Sequence, residues 1–136
     1  MRQRLMGDRG IATLEFALLV PLLLLMLLGA YDVGTAFKTS INLASAARVG
    51  AQQALLTPGN PEAVRQAVIA SVSETSSTDL PLLTVSCTCA SVALACGSPC
   101  PSGDALYMTV TTRRRLAPLL LSFLSDRHGR AVVRVR

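Results

Sequence analysis

At 136 residues and 14.3 kDa the chain holds at most one ordinary domain, which excludes a multidomain enzyme. Apolar residues make up 51% and charged residues 15%, with a mean hydropathy of +0.48, too hydrophobic for a disordered chain. The net charge of +5 is nearly all arginine, Lys38 being the only lysine. With no Trp, two Tyr and three Phe there is little on which nucleic-acid bases could stack, so no nucleic-acid partner is expected.

The N-terminal element is basic and then strongly apolar. In MRQRLMGDRG, Arg2, Arg4 and Arg9 outweigh Asp8; from Ile11 to Tyr31 the only charged side chain is Glu15. As a helix this run extends about 30 Å, at about 1.5 Å per residue, the thickness of a hydrocarbon core. The preceding arginines place the N-terminus in the cytoplasm and the chain after Tyr31 in the periplasm. A secretory signal cut near Gly34-Thr35-Ala36 and a plain single-span anchor both fit the length. Neither gives Glu15 a purpose, and a carboxylate at membrane depth is costly enough to imply one.

The order Gly10, four residues, then Glu15 and Phe16, behind a basic leader and at the head of an apolar helix, resembles a class III prepilin processing site. The wider stretch RGIATLEFALLVPLLLLMLLGAYDVGTAF, Arg9 to Phe37, resembles the TadE-like (TadE/TadF) minor pseudopilins of tight-adherence (Flp, type IVc) pilus systems. These share the basic residue and glycine, A-x-x-E-F-A, a leucine-rich run containing a proline, and a small-residue exit. Beyond Phe37 the likeness is one of layout only. The resemblance implies that a prepilin peptidase cuts between Gly10 and Ile11, and that Glu15, next to Phe16, pairs with the new α-amino group of a neighbouring subunit. Pairing lowers the cost of burying either charge. It also implies an inner-membrane pilus assembly platform and other pilins, including a second minor pseudopilin, as partners, and no cofactor. The subunit is then a single-pass inner-membrane protein with a periplasmic C-terminal domain, extracellular if it enters the pilus. The reading from another class is an uncleaved, anchored periplasmic binding module. Pro21, inside the apolar run, removes one helical hydrogen bond and is expected to kink the helix, as a hinge or incidentally.

After Tyr31, Asp32 and Lys38 mark the exit into water. Ile41, Ala44, Ala47, Ala51 and Leu55 predict that the helix continues as an amphipathic one packed on its own domain, with a bend at Gly34 or Gly50. Thr57–Pro61 is a breaker. Asn60 suits an N-cap and Pro61 a first helical position, so a second helix runs to about Ser73, with Val64, Val68 and Val72 on one face. Ser73–Pro81 is a polar linker. Leu83, Val85, Cys87 and Cys89 alternate as one face of a strand, as do Leu106, Met108 and Val110, and as Val133 and Val135 do against Arg134 and Arg136. Asp126–Arg130 reads as a turn and Leu116–Ser125 as a short helix or irregular lid.

The four cysteines, Cys87, Cys89, Cys96 and Cys100, are spaced C-x-C-x6-C-x3-C. A zinc site is one reading, but CxxC pairs are absent and a periplasmic location favours disulfides. Three connectivities are open; the nested one, Cys89 with Cys96 and Cys87 with Cys100, is expected to staple a hairpin. Arg113–Arg115 with Arg130, Arg134 and Arg136 form either a solvated strand end or a patch for acidic partners or lipid head groups. His128 is expected in an exposed turn. No catalytic set is visible, and an enzyme is not expected. The expected class is α+β: a cytoplasmic leader (1–10), a transmembrane helix (11–31), an extracytoplasmic helical hairpin (32–75) and a disulfide-stapled antiparallel sheet of about three strands (82–136).

Overall fold

In the computed structural model, which describes residues 7–72, 81–100 and 103–135 (of 7–12 the backbone alone), the apolar run and the small-residue stretch after it form one helix. This helix, α1, runs Gly7–Leu56, about 75 Å at about 1.5 Å per residue. Leader residues 1–6, the polar linker over 73–80 and Arg136 lie outside the described residues. The chain turns at Gly59, whose φ of 79° is left-handed. It then enters α2, Pro61–Ser71, two residues shorter than expected. Asn60 caps α2 as its sequence position implies, its side chain accepting from the Glu62 and Ala63 N–H groups at 3.1 Å each.

Four strands follow, one more than the alternation predicts: β1 (Leu82–Cys89), β2 (Val92–Leu94), β3 (Leu106–Arg115) and β4 (Asp126–Arg134). The sheet is antiparallel throughout, in the order β2-β1-β3-β4. The extra strand is the three-residue β2, too short to show a period. One sheet face carries the expected alternation inward, burying Cys87, Cys89, Leu106, Met108 and Val110 against α1 and α2. Asp126–Arg130 is not a turn but the first half of β4, registered against Thr111–Arg115. Asp126, His128 and Arg130 lie on the exposed outer face, while Arg127 and Gly129 turn towards α1, Gly129 where a side chain would not fit.

α1 runs unbroken through Gly34 and Gly50. Gly50 is a point of close approach: an added Cβ would lie 2.6 Å from Val68 Cγ2 and 3.0 Å from Val110 Cγ1. The buried stripe of α1 also differs from the one expected. Ala36, Leu43, Ala46, Ala47, Gly50 and Ala54 face the domain, while Ile41 and Leu55 point outward. The helix axis lies so near the sheet that mostly small residues fit between them, and the bulkier ones are left outside.

All four cysteines are paired, as Cys87–Cys96 and Cys89–Cys100, with Cα separations of 5.3 and 5.9 Å. The nested pairing is therefore wrong, and the reason is the position of the turn. The chain reverses at Ala90 and Ser91, both at positive φ, directly after Cys89. Val92 then faces Cys89 and Leu94 faces Cys87. Cys96 is carried past Cys87, diagonal to it and away from Cys89. The chain turns again at Gly97 (φ 98°) before Cys100 meets Cys89.

Candidate functional site on the long helix

Between Thr13 and Tyr31 no side chain of α1 is buried by the rest of the protein. Leu14, Phe16, Leu18 and each residue from Leu22 to Leu27 are more than half exposed. Fully burying a leucine is worth about 1.5–3 kcal/mol, so a surface this long and apolar is costly to leave in water. The helix is long and apolar enough to cross a membrane.

Along that surface the structure places the residues singled out from the sequence. Glu15 and Phe16 are exposed, Phe16 to 65%, so both are open to another chain. Pro21 lies inside α1 without ending it; lacking an N–H, it leaves the Ala17 carbonyl without its usual donor. The Gly10–Ile11 peptide lies in the first turns of α1. The opening N–H groups of a helix have no intrahelical partners, and glycine favours helix least after proline, so this end is the cheapest part of α1 to open.

The most developed polar arrangement on α1 was not foreseen. Asp32 does not mark an exit into water; it is 2% exposed. Its Oδ1 accepts from the Leu119 N–H at 2.9 Å, and its Oδ2 from the Leu120 and Leu121 N–H groups at 2.7 and 2.9 Å. Three consecutive backbone donors thus converge on one carboxylate. The Leu119 bond foremost, aided by the other two, holds the carboxyl below the ordinary aspartate value of 3.8, against the burial that pushes it up. The donors belong to the β3–β4 loop, in which Ser122–Leu124 form a short 3-10 turn, so the lid expected over Leu116–Ser125 is largely irregular. A sequence signal existed: Asp32 is in phase with the buried stripe of Ala36, Leu43, Ala47, Gly50 and Ala54.

Further along, the Thr112 hydroxyl donates to the Leu43 carbonyl at 3.0 Å. Gly129, opposite Thr112 in register, backs onto the same helical turn. The β3–β4 hairpin therefore lies along α1 with its loop at Asp32 and its open end near Gly50. The disulfides sit at the far end, where Gly97 abuts the α1–α2 turn at Gly59. The structure does not bring the cysteines near Glu15. The arginines divide: Arg113 and Arg115 lie at the loop end of the hairpin and Arg134 at the other, so they do not form one patch. His128 is exposed in β4, opposite Arg113.

Compared with known families, residues 10–52 match the model of a family described as TadE-like protein. The match starts at Gly10 and stops within the last turns of α1, so it covers the helix and leaves the sheet outside. Neither the curated proteins nor the solved structures contain a match to the chain.

Proposed function

From the match of residues 10–52 to the TadE-like family model, we propose that the chain is a structural component of a tight-adherence pilus system, a minor pseudopilin of the Flp (type IVc) pilus. The observation that carries this reading is the coincidence of three features on α1: a family match beginning at Gly10, a glutamate five residues on, and an apolar surface left bare for its whole membrane-length half. In this reading a prepilin peptidase releases residues 1–10 and exposes the amine of Ile11. Glu15 meets such an amine on an adjacent subunit, where both charges leave water together and each offsets the other's desolvation. Phe16 and the leucines after it pack against neighbouring helices, and Pro21 gives the helix a point of bending. The platform in the inner membrane and a second minor pseudopilin are the further partners. The domain outside the membrane lies in the periplasm before assembly.

The test is the N-terminal sequence and intact mass of membrane-extracted protein from cells with and without the peptidase. Peptidase-dependent loss of residues 1–10 supports the proposal. An intact Met1 in both overturns it in favour of an uncleaved anchor, and a start near Phe37 in favour of a secreted domain.

A further inference from the structure

We propose that the β3–β4 loop, with the arginines beside it, is a membrane-contacting element that docks on the head-group layer of an anionic bilayer. The inference rests on the reading of α1 as a membrane span, but not on pilus assembly or on which side the domain lies. Its foundation is height. Asp32 directly follows the apolar run, and its carboxylate takes three hydrogen bonds from Leu119, Leu120 and Leu121. When Tyr31 lies at the membrane interface, the loop is held at that same level and cannot be elsewhere while those bonds persist.

The composition of the loop fits that level. Leu119, Leu120 and Phe123 are 66%, 48% and 76% exposed, and on the neighbouring helix Tyr31 and Phe37 are 61% and 66% exposed. Water makes such a cluster unfavourable, whereas an interface accepts apolar and aromatic side chains at head-group depth.

Charge completes the match. Arg113 and Arg115 stand exposed on the outer face of the hairpin at its loop end; Asp126, their acidic neighbour, lies 3.7 Å from Arg115 in a fully solvated pair of little energetic weight. Arg127 borders an apolar slot formed by Val33, Ala36, Phe37 and Leu124. Its Nε is buried and has no hydrogen-bond partner among the described residues. A buried guanidinium N–H beside an apolar slot calls for an anionic oxygen, and a lipid phosphate above its own acyl chains supplies both halves.

The absence of tryptophan from the chain makes the test direct. Single-tryptophan variants of the full chain are reconstituted in vesicles of brominated phosphatidylcholine, with or without phosphatidylglycerol. Phe123→Trp and Leu119→Trp probe the loop, Tyr107→Trp the far end of the hairpin, and Leu24→Trp the middle of the span. The expected result is bromolipid quenching of both loop variants roughly two- to threefold above that of Tyr107→Trp. Phosphatidylglycerol should raise it, and Arg113→Gln with Arg115→Gln should remove that rise. Strong quenching at Leu24→Trp with loop quenching no greater than at Tyr107→Trp overturns the docking and leaves the span intact. A loop tryptophan shielded from both acrylamide and bromolipid overturns it too, in favour of a protein neighbour. An unquenched Leu24→Trp removes the span and the docking together.

Discussion

Glu15 and Asp32 are carboxylates on one helix, roughly 25 Å apart along its axis, and their surroundings assign them opposite tasks. Glu15 is open to a second chain. Glu15→Ala is expected to insert and accumulate as the native protein does while piliation is lost, as counted by electron microscopy of the cells; wild-type pilus numbers would remove the pairing role. Asp32 is satisfied within its own chain by three amide donors. Asp32→Asn turns one acceptor oxygen into an NH2 facing those donors, so the loop should detach and the Leu116–Ser125 segment become susceptible to limited proteolysis. Because the folded carboxyl is held below 3.8, its contribution is complete above the unfolded value and disappears as pH falls through the lower folded one. Urea midpoints of the native protein should accordingly be steady down to about pH 4 and fall below it, whereas the Asn variant should lack that component of the fall. Glu15 was legible because nothing else charged shares its run. Asp32 was not, because an aspartate after an apolar stretch ordinarily signals water, and its partners are backbone groups nearly ninety residues away in sequence.

At the scale of elements, alternation and capping were readable and close approaches were not. The inward faces of β1 and β3 and the start of α2 follow from period-2 patterning and from Asn60-Pro61, both local properties. The buried stripe of α1 follows from how near the sheet comes, which is a tertiary property. Gly129 shows this best: an added Cβ would run into the Leu43 carbonyl group and the Ala44 nitrogen, atoms of a helix backbone that cannot step aside. Gly129→Ala should therefore cost about 1–3 kcal/mol or more in a chemical denaturation experiment, although alanine suits a strand no worse than glycine. The cysteine pairing escaped the sequence because the deciding turn, Ala90-Ser91, holds none of the residues that usually announce positive φ. Partial reduction and alkylation followed by fragment mass spectrometry should recover Cys87–Cys96 and Cys89–Cys100. Each closes a short loop, for which the chain-entropy account gives about 2–3 kcal/mol, and loss of either should lower the domain's melting temperature.

For the molecule as a whole, the family match lies within the long helix, while the sheet lies outside the match. The two parts admit separate tests. Gly10→Ala should leave a full-length membrane form, visible as the added mass of residues 1–10, with both disulfides intact; normal trimming of that variant would contradict the processing site. The sheet domain is expected to keep its fold whether or not residues 1–10 are removed.

The hairpin is fastened to α1 at more than one height: at Asp32 through three amide bonds, at Leu43 through the Thr112 hydroxyl, and near Gly50 through close packing. At the far end the glycines of two turns touch. A tensile load entering at the distal turns and leaving through the apolar half of α1 would be shared among these fastenings in shear, since none can be peeled away alone. The upper half of α1 is in this sense a splinted rod, and extension under load is expected to concentrate in the bare half below Asp32, where Pro21 has already removed one rung.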